Sequence, residues 1–420
     1  MAKTVSAGHG ITSAIECYGG GPASALTWSR NADIPMTEFW VKAEQGATDS
    51  PDRCDGELTA KIAAADAHIR GKRFVDAEAF TAQPDNSGRW LKDPYGLKPF
   101  GDVMYCAGVN RMVFHRFAHQ PWTVPARLPG MTMGQWGTHF ERTETWWPMV
   151  GPFLRYQARC QYLLQQGRFA GDVLFYTGDE VPNDARPEVE PPRGFDWDVC
   201  DRDVLKALRV VKGRLITPGG TDYAVLVVPT NRLICAESRD LFKKLEAAGA
   251  RVVTSADPLG LEPDFTYTGS ATNLRFIHRR YDGGMDGYFV ASPSTNAVTA
   301  NCSFRIAGRF PQVWDAETGA RWRPQSWRNE GERTVVTVRF RPCGSVFVMF
   351  SDREDEAVPV EQVPHTLREV SVKGPWKLSF PAGWRCPAAL SLASLRSWTE
   401  IPDGEVRYFS GIATYETEVK

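Results

Sequence analysis

The first 167 residues alternate short apolar runs with helical stretches, and this alternation constrains the fold more than any other feature. "ITSAIECY" (11–18), "DIPMTEFW" (33–40), "RFVDAEAF" (73–80) and "RMVFHRFA" (111–118) read as strands. Between and after them, "ELTAKIAAADAHIRG" reads as a helix stopped by Gly71, and "LKPFGDVMYCAGVN" as a weaker one. "FLRYQARCQYLLQQG" is strongly amphipathic and ends at Gly167. Strands alternating with helices point to βαβ units and a parallel sheet. Polar residues gather towards the C-terminal ends of these strands: Glu16, Glu38, Glu78, then His115 inside the last strand and His119 just beyond it. In an α/β barrel, that end of the strands binds ligands. About four strands are visible, where a complete barrel has eight.

The texture then changes. "DVLFYTG", "YAVLVVPTNRLI" and "CAESRDLFKKLEAAGARVVTS" form a compact βαβ pattern without a GxGxxG turn. It predicts a small flavodoxin-like α/β domain without a cofactor. From about residue 273 the chain reads as all-β. "LRFIHRRYDGGMDGYFVASPS" is a hairpin about a DGG turn, and "FPQVWDAETGARWRPQ", "RTVVTVRFRP" and "GSVFVMFSD" continue as a β-sandwich. Residues 369–420 start another β module with too few strands to close a sandwich, so both ends of the chain read as cut. The predicted segments are 1–168 (barrel half), 169–272 (flavodoxin-like), 273–355 (β-sandwich) and 356–420 (start of a further sandwich).

Composition narrows the function. Lys+Arg 49 against Asp+Glu 50 leaves a net charge of −1, which gives no electrostatic reason to expect nucleic acid or an anionic membrane as partner. No stretch is long and apolar enough to span a bilayer. The nine cysteines form no CxxC pair and no zinc-like cluster, so buried thiols are expected rather than a disulfide framework. The N-terminus lacks an apolar run with a charged flank, so this chain as written carries no signal peptide. With 14 Trp, 12 Tyr and 22 Phe, aromatic faces are plentiful for sugar stacking as well as for the core.

Strand-end carboxylates are suited to acid–base work or metal binding, but each has a plainer alternative. Glu78 serves as well as a structural Glu paired to a basic neighbour. Glu38 suits a metal ligand, a sugar-orienting group or a helper of the base, and equally an N-cap or ion pair. Glu16 is a weaker version of the same case. His115 reads first as a core histidine, while His119, beside "QPW", is the better sugar ligand. Asp33 fits a loop-fixing role better than a sugar contact. Trp136 is an open candidate for a stacking platform, while Trp146 and Trp147 read as packing residues.

The order of these motifs resembles glycoside hydrolase family 106, the α-L-rhamnosidases. The likeness is carried by "DIPMTEFW", "GKRFVDAEAFT", "LKPFGDVMYCAGVNRMVFHRFAHQP", "LPGMTMGQWGTHFERTETWW", "RYQARCQYLLQQG", "VWDAETG" and "VRYFSGIATYE". It implies a (β/α)8 barrel followed by accessory β domains, with this chain starting about halfway round. The fold expected is therefore α/β and β multidomain: the C-terminal half of a barrel, a flavodoxin-like domain, a β-sandwich and an incomplete galactose-binding-like jelly roll. Trp376, Trp398 and Tyr408 are the expected core of that last module. The resemblance implies an inverting, calcium-assisted mechanism on rhamnose-containing oligosaccharides, polysaccharides or glycosides, and an exported protein. Glu78, in "AEAFT", matches the catalytic base. Glu38, with Glu16 a weaker candidate, would be a calcium ligand, and the general acid falls on no residue of this chain. Competing readings are a non-catalytic carbohydrate-binding protein and a β-galactosidase-like glycosidase.

Overall fold

The computed structural model describes residues 2–18, 22–41, 56–82, 90–122, 136–256, 259–362 and 368–419. The alternating N-terminal region forms a four-stranded, all-parallel sheet in the order β1 (Ala14–Glu16), β2 (Ile34–Val41), β3 (Asp76–Ala82), β4 (Arg111–Phe114). Its helices are α1 (Ala2–Gly8), α2 (Ala25–Asn31), α3 (Glu57–Arg70), α4 (Pro94–Cys106) and α5 (Gly151–Leu164). The sheet is open, and no closed barrel forms among the described residues. α1 and α2 were not anticipated. Each is only seven residues long, too short for apolar periodicity to register.

α3 shows why the sequence folds this way. It opens at Gly56 and ends at Gly71, whose φ of 70° suits a left-handed C-cap. Its alanines are buried almost all round, because Ile62 and Ala65 pack with Leu26 of α2 against Val173, Phe175, Val199 and Val225 of a second parallel sheet. The charged residues it buries are all paired. Lys61 meets Asp196, His68 Nδ1 lies 2.9 Å from Asp198, and Asp66 binds Arg70 (2.7 Å) and Lys72 (2.6 Å). α4 starts on an Asp93 side chain that accepts from the Gly96 amide, with Pro94 in its first turn.

The second parallel sheet has four strands in the order Val252–Val253, Val225–Val227, Val173–Tyr176, Trp197–Cys200, with the helix Ala236–Ala247 between two of them. A β-sandwich follows. One sheet pairs Phe265–Gly269, Val298–Phe304, Arg333–Phe340 and Trp327–Glu330; the other has six strands, including the hairpin Arg275–Arg280 and Asp286–Ala291. Tyr288, Phe304, Val336, Val348 and Phe350 fill the space between. Its first strand begins at Phe265, ahead of the residue 273 drawn from sequence, because "FTYTG" is short and mostly exposed. The six-stranded sheet also recruits Arg168–Phe169 from far upstream.

Residues 141–149 and 362–420 form a separate compact unit. Its three-stranded antiparallel sheet, Ala389–Leu392, Trp376–Ser379 and Thr414–Glu416, covers a core of Leu378, Phe380, Leu392, Ile401, Val406 and Phe409. Trp376 and Trp398 pack against that core as expected, but Tyr408 does not. It is 80% exposed, because it follows the short helix Gly404–Arg407 and its neighbour Phe409 takes the inward position. All eight described cysteines are free thiols, six of them buried. Among the described residues no helix is long and apolar enough to cross a membrane.

Candidate active site

Strand alternation assembles the site. On β2, Thr37, Phe39 and Val41 are buried, while Met36, Glu38 and Trp40 occupy the less buried face. β3 pairs with it in parallel so that Glu38 is in register with Glu78. Neighbouring strands lie about 4.8 Å apart, so the two carboxylates are held side by side. Glu16 closes β1 in register with Met36, two residues before Glu38. These carboxylates were expected at strand ends; only Glu16 is there. β2 and β3 run on past Glu38 and Glu78 to Val41 and Ala82.

A β-bulge follows at once. Glu38 pairs with Glu78 but Trp40 pairs with Thr81, so Ala79 and Phe80 together oppose Phe39. Phe80 takes φ 62°, a left-handed conformation uncommon outside glycine. Packing holds it there: it is fully buried, with Phe39, Phe114 and Phe140 rings 5.0, 5.6 and 5.9 Å away. The extra residue flips the side-chain parity, and Thr81 rather than Phe80 lands on the carboxylate face. There its hydroxyl lies 2.6 Å from His115 Nδ1, which is itself 3.8 Å from Glu78 Oε1.

The electrostatics follow from three acids on one face. Partial burial raises the Glu78 pKa to about 7, reinforced by the charges of Glu38 and Glu16 and by a hydrogen bond with Glu16. Burial also raises Glu16, although a hydrogen bond from Tyr18 opposes the rise. The Tyr18 hydroxyl donates to Glu38 Oε2 and lies 3.2 Å from Glu16 Oε2. Burial and the neighbouring Arg116 lower the His115 pKa.

The other predicted residues divide. His115 lies one residue beyond β4, not inside it, and joins the cluster. Trp136 is 40% exposed and meets Trp40 edge-on at 5.8 Å. Trp40 sits two residues, about 7 Å, along the same face from Glu38. Asp33 is not brought in. It precedes β2, five residues or about 16 Å of strand from Glu38. There it accepts from the Ser13 amide (2.9 Å) and hydroxyl (2.8 Å) and pairs with Lys3 at 3.1 Å. Those Ser13 hydrogen bonds and Lys3 lower its pKa to about 2. His119 is exposed in the loop after β4 and makes no hydrogen bond or ion pair with the three acids. Tyr18, Trp40 and Thr81 were missed. The Glu-x-Tyr spacing of Glu16 and Tyr18 on an extended segment was the available signal for the first.

Calcium binds six to eight oxygens. Among the described residues no group of three or more His, Cys, Asp or Glu side chains is disposed to hold a metal ion, and Tyr18 already engages one oxygen each of Glu38 and Glu16. These residues do not by themselves make a calcium cage, and the chemistry below runs through the side chains alone.

Gly137 sets the approach to His115. At φ 87° it tolerates no Cβ easily, and a Cβ there would stand 2.7 Å from His115 Nδ1. Gly137→Ala is expected to destabilise the protein by about 1–3 kcal/mol and to displace the imidazole. Thermal denaturation beside steady-state rates checks this; an unchanged melting temperature with an unchanged rate would contradict it.

The family model for the glycoside hydrolase family 106 α-L-rhamnosidases matches residues 4–260 and 236–327. The chain belongs to that family. Among solved structures, this family 106 chain is similar to a rhamnosidase from Novosphingobium sp. PP1Y, with a TM-score of 0.81 and 27% identity, covering 99% of this chain and 44% of that one. It is also 30% identical over 391 residues to a protein of Formosa agariphila provisionally named as a beta-glucuronidase, covering 83% of this chain and 32% of the relative. This family 106 chain thus spans less than half the length of either relative.

Proposed function

We propose that this chain carries the base side of an inverting α-L-rhamnosidase centre that removes terminal α-L-rhamnose from glycosides or polysaccharides. The observation that carries the reading is the cluster of Glu16, Glu38 and Glu78 on one sheet face, with Glu78 held near pH 7 by burial and its acidic neighbours. An inverting hydrolysis needs a carboxylate to take a proton from water on the face of the sugar opposite the leaving group. A base works best with a pKa close to the operating pH, and Glu78 meets that condition. Ionised, Glu78 takes the water proton as oxygen attacks the anomeric carbon, while Glu38 and Glu16 disfavour its charge and sharpen its basicity. His115, 3.8 Å away, is placed to orient the water or a sugar hydroxyl. Trp40 and Trp136 offer apolar faces to the ring. The acid that protonates the leaving oxygen is assigned to none of the described residues.

In this reading the parallel sheet is the second half of a (β/α)8 barrel, the next sheet a flavodoxin-like domain and the last unit a galactose-binding-like module. Restored to its full-length protein, the chain is expected to release the aryl group from an aryl α-L-rhamnoside and to leave aryl β-glucuronides and β-galactosides intact. Turnover of the glucuronide alone would replace this reading with the one suggested by the Formosa relative's name. Calcium dependence is a separate proposal resting on the family likeness. Exhaustive chelation is expected to lower the rate and added calcium to restore it; unchanged rates after chelation would remove the metal from the account.

A further inference from the structure

Tyr18 has no place in the base chemistry described so far, yet it touches two of the three acids. It lies two residues beyond Glu16 on a segment that stays extended, since the Cys17 amide still bonds to the Met36 carbonyl at 2.9 Å. The two-residue period of an extended chain sets its ring on the same face as Glu16. From there its hydroxyl donates to Glu38 Oε2, with Glu16 Oε2 3.2 Å away. Three carboxylates crowded on one face repel each other, and a donor placed between two of them offsets part of that repulsion. Lysine or arginine in this position would cancel the charge that raises the base. A phenol supplies a donor and leaves the charge in place.

We propose that Tyr18 is a positioning residue: its hydroxyl clamps Glu38 and Glu16 on one side of the cluster and leaves Glu78 as the carboxyl that meets water. This rests on the reading of Glu78 as base. The clamp acts through the placement of Glu38 beside the base and not on the bound sugar, so it bears on turnover more than on substrate affinity.

The test uses the full-length enzyme and an aryl α-L-rhamnoside. Tyr18→Phe keeps the ring and deletes only the donor. It is expected to lower kcat about 10- to 100-fold, with KM within about twofold and the melting temperature unchanged. Because Tyr18 acts through Glu38, the double variant Tyr18→Phe/Glu38→Gln should be little worse than Glu38→Gln alone. Tyr18→His, with a ring and an N–H donor, should recover part of the lost kcat, and Tyr18→Leu, which also lacks the donor, replaces Phe in the cycle if the Phe variant does not fold. An unchanged kcat overturns the proposal, as do additive losses in the double variant. A fall in activity that merely tracks a fall in melting temperature overturns it as well. If Glu78→Gln retains activity, the base reading itself has failed. If Glu78→Gln is inactive and Tyr18→Phe is not, only the clamp has.

Discussion

Glu78→Gln in the full-length protein is expected to lower kcat by about 10²- to 10⁴-fold, the usual contribution of a positioned general base. The fold should survive the change. Glu78 is only half-buried and sits among like charges, so an amide of the same shape relieves repulsion and leaves no paired cation behind. The melting temperature should hold or rise slightly. The wild-type pH profile should carry the matching signature. A base must be ionised to act, and Glu78 ionises as pH rises through about 7, so kcat/KM should climb through that region. The residual activity of the Gln variant should lack that limb. A wild-type profile already flat from pH 5 would contradict the assignment.

The second large effect belongs to stability. His278 is buried in the β-sandwich with Asp264 at 2.9 Å from Nδ1 and Asp286 at 2.9 Å from Nε2, its ring stacked 4.0 Å from Tyr288. Burial alone would lower its pKa; Asp264 and then Asp286 outweigh burial and raise it. Asp264 is lowered in turn, since His278 and then Arg305 overcome its own burial. Arg309 (2.6 Å) and Arg280 (4.0 Å) face Asp286, and the Tyr288 hydroxyl donates to Asp264 at 2.9 Å. His278→Ala takes the shared cation from two buried carboxylates, leaving Asp264 with Arg305 and Tyr288 and Asp286 with Arg309 and Arg280, and is expected to cost about 2–4 kcal/mol, a melting shift on the order of 5 °C. The pH dependence has two signs. The raised histidine stabilises fully below its unfolded pKa of about 6.5, and this is lost as pH rises through the higher folded value. The lowered Asp264 stabilises above about 3.9, and this is lost as pH falls through its lower folded value. The lock is therefore complete between roughly pH 4 and 6.5. Melting curves of wild type and His278→Ala should lie furthest apart in that window. A gap that widens above pH 8 would contradict the pairing.

Much of this was legible in the sequence because it depends on period and punctuation. β2 shows its face through Met36, Glu38 and Trp40, and α3 announces its end with Gly71. The parallel arrangement followed from the alternation of strands and helices. What stayed hidden depends on contacts between distant segments. The bulge at Ala79–Phe80 leaves no local mark, since Phe is a good strand residue and its left-handed backbone is held by Phe39, Phe114 and Phe140. Without the bulge, Thr81 would be assigned to the wrong face. Tyr18 read as the end of an apolar run because its two acceptors lie on β1 and β2. For Asp33 the sequence favours a loop-fixing role over a sugar contact, and it stands at the start of β2, where Ser13 and Lys3 hold it.

The most direct measurement of the central claim is azide rescue of Glu78→Ala in the full-length enzyme acting on an activated aryl α-L-rhamnoside. Azide needs no base to attack, and the cavity left by the deleted carboxyl admits it. If Glu78 deprotonates water, azide restores turnover and the product is β-L-rhamnosyl azide, of inverted configuration. A variant as active as wild type without azide, or a rescued product of retained configuration, would contradict the account.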